Sequence, residues 1–229
     1  MFGADLCIGL MAEVQMPRAK HIVSTDFPYH VTARCHNQNF FFELETERVW
    51  QIMSEFLREL TYDYGFIIHS FVLMGNHFHL LVSTPKGNLS EGMCYFMTAT
   101  SKRINSLTQK KNQVYGSRFH RCLISDSRYL HNVYKYVYRN PVEAGLCQRV
   151  EDYPFSTLFK KLKGFEDFPL YENDFFYEES SRNSYLTWLN KEPTEKQKEI
   201  IEWGLSRAEF KEKKILRKWI APELETFKI

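Results

Sequence analysis

The stretch LMGNHFHLLVS, residues 73–83, sets His77 and His79 two positions apart inside an apolar run. In an extended strand alternate side chains leave opposite faces, so His77, His79 and Leu81 share one face and Phe78, Leu80 and Val82 the other. Imidazole is a common metal ligand, and two imidazoles on one face of a core strand suit a divalent cation. A pair of hydrogen-bonded core histidines is the plainer alternative. A second constellation lies in LHNVYKYVYRNPVEAGL, residues 130–146. On a helix advancing about 100° per residue, Leu130, Val133, Tyr134 and Val137 form the buried stripe. Tyr138 sits on one border of it. Tyr136 projects from the other, with Asn132 and Asn140 one turn away on the same edge and Lys135 and Arg139 on the outward face. A partly exposed phenol beside amides and a basic face is the tyrosine best placed for chemistry. Boundary tyrosines are also ordinary on amphipathic helices, and spacing alone leaves both readings open.

Pro141 disfavours helical conformation at Asn140, so the helix is expected to end or kink there. A terminal amide held that way can turn its oxygen toward a metal. Imidazole and amide ligands together with phosphate and water suit Mg²⁺ or Mn²⁺, with some preference for Mn²⁺. The lack of thiolate ligands at suitable spacing argues against structural zinc.

The elements that must position these groups can be read from periodicity. YHVTARC (residues 29–35) alternates as a first strand, and a helix is expected over residues 45–64 with Val49, Ile52, Phe56 and Leu60 inward. FIIHSFVLM (residues 66–74) and the histidine strand form a hairpin around Gly75-Asn76. A second helix is expected from Asn88, capped by its side chain with Glu91 reaching back. Its inward stripe is Leu89, Met93, Phe96, Thr100, Ile104 and Leu107. VYGSRFHRCLIS (residues 114–125) reads as a fourth strand, and Asp126 can cap the tyrosine helix. The order strand, helix, strand, strand, helix, strand, helix is a split βαβ, ferredoxin-like α+β arrangement with helices packed on an antiparallel sheet. Beyond residue 153 the pattern weakens, with helices expected over 184–190 and 195–219 and a packing role for the tail.

Composition bounds the rest. A chain of 229 residues with 44% hydrophobic and 16% aromatic residues builds a packed core, which excludes global disorder. The net charge of +2 says little about partners, but residues 101–150 hold ten Lys or Arg against two acids, Asp126 and Glu143. That local excess suits a polyanion, or an ordinary solvated face. The five cysteines are scattered without a C-x-x-C pair, as in a reduced, cytoplasmic protein. No apolar run suffices to span a membrane, so no membrane partner is expected. Residues 1–15 are expected to be a flexible leader lacking signal-peptide features, with Met16 an alternative start.

With these residues in place the sequence resembles the HUH single-tyrosine transposases, and within them the REP-associated tyrosine transposases of bacteria. The likeness rests on MPR (16–18), YHVTARCHNQNFFF (29–42), VLMGNHFHLLV (72–82), GSRFHR (116–121), YVYRNPVEAGL (136–146) and YPFSTL (153–158), and so covers residues 16–158. H-x-H alone is weak; joined to Y-x-x-x-N-P at this separation it is specific. Departures are Gly75 where Pro is frequent, Tyr138 where His is common and Phe155 where Trp is frequent; none removes a reacting group. The resemblance implies an HUH catalytic domain over 16–158 followed by a mainly helical extension over 159–229. It also implies His77 and His79 as ligands of a divalent metal ion, Asn140 as a third, and Tyr136 as the nucleophile forming a 5′-phosphotyrosine link.

The implied partner is single-stranded or hairpin DNA of the REP type. Lys102, Arg103, Lys110, Lys111, Arg118 and Arg121 can track phosphates, and Lys135 and Arg139 complete the expected DNA-binding set. Arg34 and Asn37 border the site. His69 and His120 are candidates for the base that serves the phenol, and a structural role is expected for each. A monomer is expected. The rival readings are a catalytically silent DNA-binding regulator on the same fold, a phosphodiesterase using water, and a domain whose histidines are core residues.

Overall fold

In a computed structural model of the chain, the alternating segments become one four-stranded antiparallel sheet. The structure describes residues 22–36, 44–111, 113–165, 170, 179–210, 214–215, 218–219 and 224. The expected leader and Asn37 lie outside the described residues. The elements run β1 (Tyr29–Arg34), α1 (Thr46–Tyr62), β2 (Ile67–Leu73), β3 (His77–Ser83), α2 (Leu89–Thr108), β4 (His120–Leu123) and α3 (Ser127–Glu143). Then follow α4 (Thr157–Leu162), α5 (Glu179–Asn190), α6 (Glu195–Leu205), β5 (Lys214–Ile215) and β6 (Lys218–Trp219). The strand order is β2-β3-β1-β4, the ferredoxin-like α+β arrangement that the element order implies.

The two faces of the sheet bury different layers. Val31, Ala33, Phe78, Leu80 and Val82 pack with Phe71 against α1 and α2, where Met53, Leu57, Leu60, Met93 and Phe96 meet them. Leu81, Val72 and Cys122 face the other way, into a cluster with Val133, Tyr134 and Val137 of α3 and with Leu189, Ile200 and Ile201 of α5 and α6. The histidine strand therefore divides its residues between the layers as alternation requires.

Several local expectations give way. Asn88 does precede α2, but its amide donates to the Tyr64 carbonyl (2.9 Å) and makes no cap bond to the helix. Leu107 is exposed rather than part of the inward stripe. The fourth strand is short: Thr32 pairs with His120 and Cys35 bridges Tyr115, so Ala33-Arg34 lies opposite Gly116–Phe119 and the excess residues loop out.

At α3, Pro141 does not end the helix, which continues to Glu143. The proline has no N–H for the Val137 carbonyl, yet the next turn still closes, with Ala144 N–H donating to Asn140 O at 3.0 Å. A left-handed Gly145 (φ +70°) then closes the helix, with Leu146 N–H donating to Pro141 O and Gly145 N–H to Val142 O, each at 2.9 Å. Residues read as irregular form α4, started by Ser156 accepting from Phe159 N–H. The long final helix is also shorter than expected. α6 opens with a Thr194–Gln197 capping box and stops at Leu205, where Gly204 lies against the Phe210 ring. Residues 208–210 then run beside β4, with Leu123 N–H donating to Ala208 O and Phe210 N–H to Leu123 O. This segment covers an otherwise open sheet edge. No helix among the described residues is long and apolar enough to cross a membrane.

Candidate functional site

β3 sends His77 and His79 to the α3 side of the sheet, and α3 lowers Tyr136 onto them. The His77 and His79 rings lie 5.0 Å apart, centroid to centroid and nearly perpendicular, and the Tyr136 ring stands edge-on to His79 at 5.6 Å. Tyr136 is half-buried, while Tyr134 and Tyr138 are buried core aromatics. Asn140, one turn along, shares the same cleft of about 480 Å³, whose wall also includes Arg34, His120 and Glu202. The Asn140 amide nitrogen donates to the Tyr136 carbonyl (2.7 Å), which leaves Oδ1 as its acceptor.

The ring nitrogens are prepared unequally. His77 Nδ1 is tied to Asn76 Oδ1 at 2.8 Å and His79 Nδ1 to His30 Nε2 at 2.9 Å. His79 Nε2 is buried and has no hydrogen-bond partner. Burial first and the Arg34 charge second hold the His77 imidazole down at about 4. Burial, followed by His30, His77 and Arg34, holds His79 well below the ordinary histidine value. Both rings are thus neutral near pH 7, with lone pairs available. Burial, then the Glu202 charge, pushes the Tyr136 phenol above its usual value, and the Asn140 side chain and Arg34 pull the other way. The resting phenol is protonated.

A divalent cation fits this donor set. A buried imidazole nitrogen without a partner is a costly group to leave unmade, and coordination would satisfy it. Among the described residues no group of three or more His, Cys, Asp or Glu could hold a metal. Ligands beyond the two histidines would have to be amide, phosphate or water oxygens.

The remaining candidates separate into two sets. Lys135 and Arg139, expected on an outward face, are 7% and 6% exposed because α5 and α6 cover that side of α3. Lys135 Nζ sits 4.8 Å from the centre of the Trp188 ring, and Arg139 pairs with Glu143 (2.7 Å) and donates to the Asn190 carbonyl (2.8 Å). Lys102, Arg103 and Arg118 are exposed. Arg121 is partly exposed and donates to Ser90 Oγ of α2 (2.8 Å), so it leaves β4 on the side opposite the histidines. His69 bonds Ser83 Oγ and His120 bonds the Leu205 carbonyl, both at 2.7 Å. Both rings are thus tied to neighbouring elements of the fold.

Three groups at the site escaped the sequence reading. His30 was findable: alternation in YHVTAR puts it on one face with Thr32 and Arg34, and a split βαβ order places that strand beside the histidines. Asn76 signals only a turn in the sequence, not a partner for His77 Nδ1. Glu202 carries no local signal, since nothing near it in sequence says that α6 returns to the cleft.

Comparison with known proteins bears on the whole arrangement. A family model described as "Transposase IS200 like" matches residues 23–140. A Haemophilus influenzae protein with the provisional name of REP-associated tyrosine transposase is 26% identical over 111 residues, 44% of this chain and 63% of that protein. The alignment thus spans under two thirds of that relative. Among solved structures, that of a REP-associated tyrosine transposase bound to a REP hairpin superposes with a TM-score of 0.53. It is 21% identical, and the match covers 65% of this chain and 86% of that one, which supports the fold.

Proposed function

The chain belongs to the IS200-like transposase family, and we propose that it cuts and rejoins single-stranded DNA beside a hairpin, with Tyr136 as nucleophile. The observation that carries this reading is the convergence of Tyr136 on His79 across one cleft, its ring 5.6 Å from an imidazole whose Nε2 lacks a partner. His77, His79 and the Asn140 amide oxygen would hold Mg²⁺ or Mn²⁺. When bound, that ion polarises the scissile phosphate and lowers the cost of charge developing on it.

The chain's own groups do the rest. Tyr136 Oη attacks phosphorus in line; the P–O3′ bond breaks and the 3′-oxygen leaves as a hydroxyl, taking up a proton. The product is a 5′-phosphotyrosine, which conserves the ester so that a 3′-hydroxyl can reverse the step. Because burial and Glu202 hold the phenol protonated, its proton has to leave as attack proceeds. One chain supplies both histidines and the tyrosine, so a monomer suffices for the chemistry.

Recognition falls to a different surface. Lys102, Arg103, Arg118 and Arg121 line the α2–β4 side, away from the cleft, and suit the backbone of a hairpin stem while the unpaired strand enters the cleft. The solved relative's bound REP hairpin supports a substrate of that kind. Lys135 and Arg139 are spent within the fold and are not assigned to DNA. On this reading residues 16–158 hold the chemistry, while the 159–229 extension buttresses α3 and contributes Glu202 to the cleft wall.

The test is a 3′-labelled hairpin oligonucleotide with a single-stranded flank, incubated with protein and Mn²⁺. A protein-linked labelled band is expected from the native chain and none from Tyr136→Phe. Cleavage that persists in Tyr136→Phe would mean that another group or water is the nucleophile, and the proposal would be wrong.

A further inference from the structure

His30 is 2% exposed and His79 5%, and they are diagonal neighbours on one face of the β1–β3 pair, His30 opposite Leu81 and His79 opposite Thr32. Their rings stack at 5.2 Å with an interplanar angle of 23°, and His30 Nε2 lies 2.9 Å from His79 Nδ1. Two ring nitrogens at that distance share one hydrogen, and it can belong to either ring.

The two arrangements have opposite consequences. If His30 donates, His79 carries its own proton on Nε2 and offers no lone pair to the cleft. If His79 donates from Nδ1, its Nε2 is an unprotonated ligand atom. His77 shows the pattern that the second arrangement completes: its Nδ1 meets the Asn76 side-chain oxygen at 2.8 Å, an acceptor that fixes the proton there and leaves Nε2 free. Each histidine of the pair then has one polar side chain behind it.

We infer that His30 is a positioning residue: it accepts the Nδ1 proton of His79 and so keeps the His79 Nε2 lone pair directed to a divalent cation. This rests on the metal-dependent reading above. Outer partners of this kind orient the ring and raise its basicity, and their loss costs metal affinity.

Two readouts test the inference. In metal-free native protein, long-range ¹H–¹⁵N correlation of the imidazole nitrogens should find the His79 proton on Nδ1; a proton on Nε2 overturns the inference whatever the enzyme does. Mn²⁺ affinity, read from the electron paramagnetic resonance of the free ion, should fall about 10- to 100-fold in His30→Phe, which keeps bulk without an acceptor. It should recover in His30→Gln, whose amide oxygen can accept. A folded His30→Phe that binds Mn²⁺ like the native chain defeats the inference alone. Native protein that binds no Mn²⁺ defeats the metal-dependent reading together with it. Should His30→Phe not fold, the native-protein proton position and the Gln variant still decide.

Discussion

Arg139 offers a sharp discrimination, because its location and its sequence context point opposite ways. Beside Tyr136, on a helix rich in Lys and Arg, it looks like a DNA contact; in the fold it is 6% exposed. Its Nε and Nη2 donate to Glu143 Oε1 at 3.1 and 2.7 Å, and Nη1 donates to the Asn190 carbonyl at 2.8 Å, at the end of α5. Charge-assisted bonds of this kind contribute about 1.5–3 kcal/mol each. Glu143 keeps Lys198 at 3.0 Å, so Arg139→Ala strands no fully unpaired carboxylate, and the lower end applies. Counting the two bonds to the one Glu143 oxygen as a single interaction beside the Asn190 bond, about 3 kcal/mol should be lost, a fall in Tm of about 6–12 °C for a chain of this size.

Thermal unfolding measures that directly, and hairpin binding across a salt series supplies the contrast. The logarithmic salt slope of Arg139→Ala should equal that of the native chain, since no phosphate contact is removed. Arg103→Ala should do the reverse: Tm nearly constant and a slope shallower by about 0.7–0.9. An Arg139→Ala protein with native Tm and a shallower slope would refute the reasoning.

Three further outcomes follow from the same packing and chemistry. Mn²⁺ at about 100 times its Kd should add about 2.7 kcal/mol of stability, or about 5–11 °C in Tm. The double variant His77→Ala, His79→Ala should show no such rise; an equal rise would place the ion elsewhere. Burial holds His69 down at about 4 against an ordinary 6.5, so the unfolded chain takes up that proton first. Stability from this residue is full above about pH 6.5 and drains away toward pH 4, with about 2 kcal/mol gone by pH 5. Urea unfolding should show His69→Gln losing about that much less between pH 7 and 5; identical pH dependence would count against it. Finally, a Cβ on Gly92 would lie 2.3 Å from the Phe66 ring. Gly92→Ala should therefore destabilise by about 1–3 kcal/mol despite its better helix propensity, and adding Phe66→Leu should recover part of that. A stabilised Gly92→Ala would contradict the packing.

The sheet was legible because both its faces are buried, which forces period-two sorting of side chains over long segments: His77 and His79 sort with Leu81, and Phe78 and Leu80 against them. α1 and α2 were legible from their stripes. The convergence of Tyr136 on the histidines came from the family likeness, since helix geometry leaves a border tyrosine free to be ordinary. What failed depends on contacts remote in sequence. A helical projection says which side of α3 faces away from the sheet, but not that α5 and α6 will cover Lys135 and Arg139 there. Pro141 carries a local penalty, but the turn beyond it still closes through Ala144 N–H on Asn140 O. The partner of His30 appears only once strand order and register are known, because the two rings meet diagonally across strands.

The most direct measurement of the central claim is the site of covalent attachment. After reaction with a single-stranded flank and Mn²⁺, trypsin should release Tyr136-Val137-Tyr138-Arg139, which contains two tyrosines that fragmentation can tell apart. A phosphodiester-linked nucleotide on Tyr136, through the 5′-phosphate, is the predicted product. The same adduct on Tyr138, or cleaved DNA with both tyrosines unmodified, would contradict it.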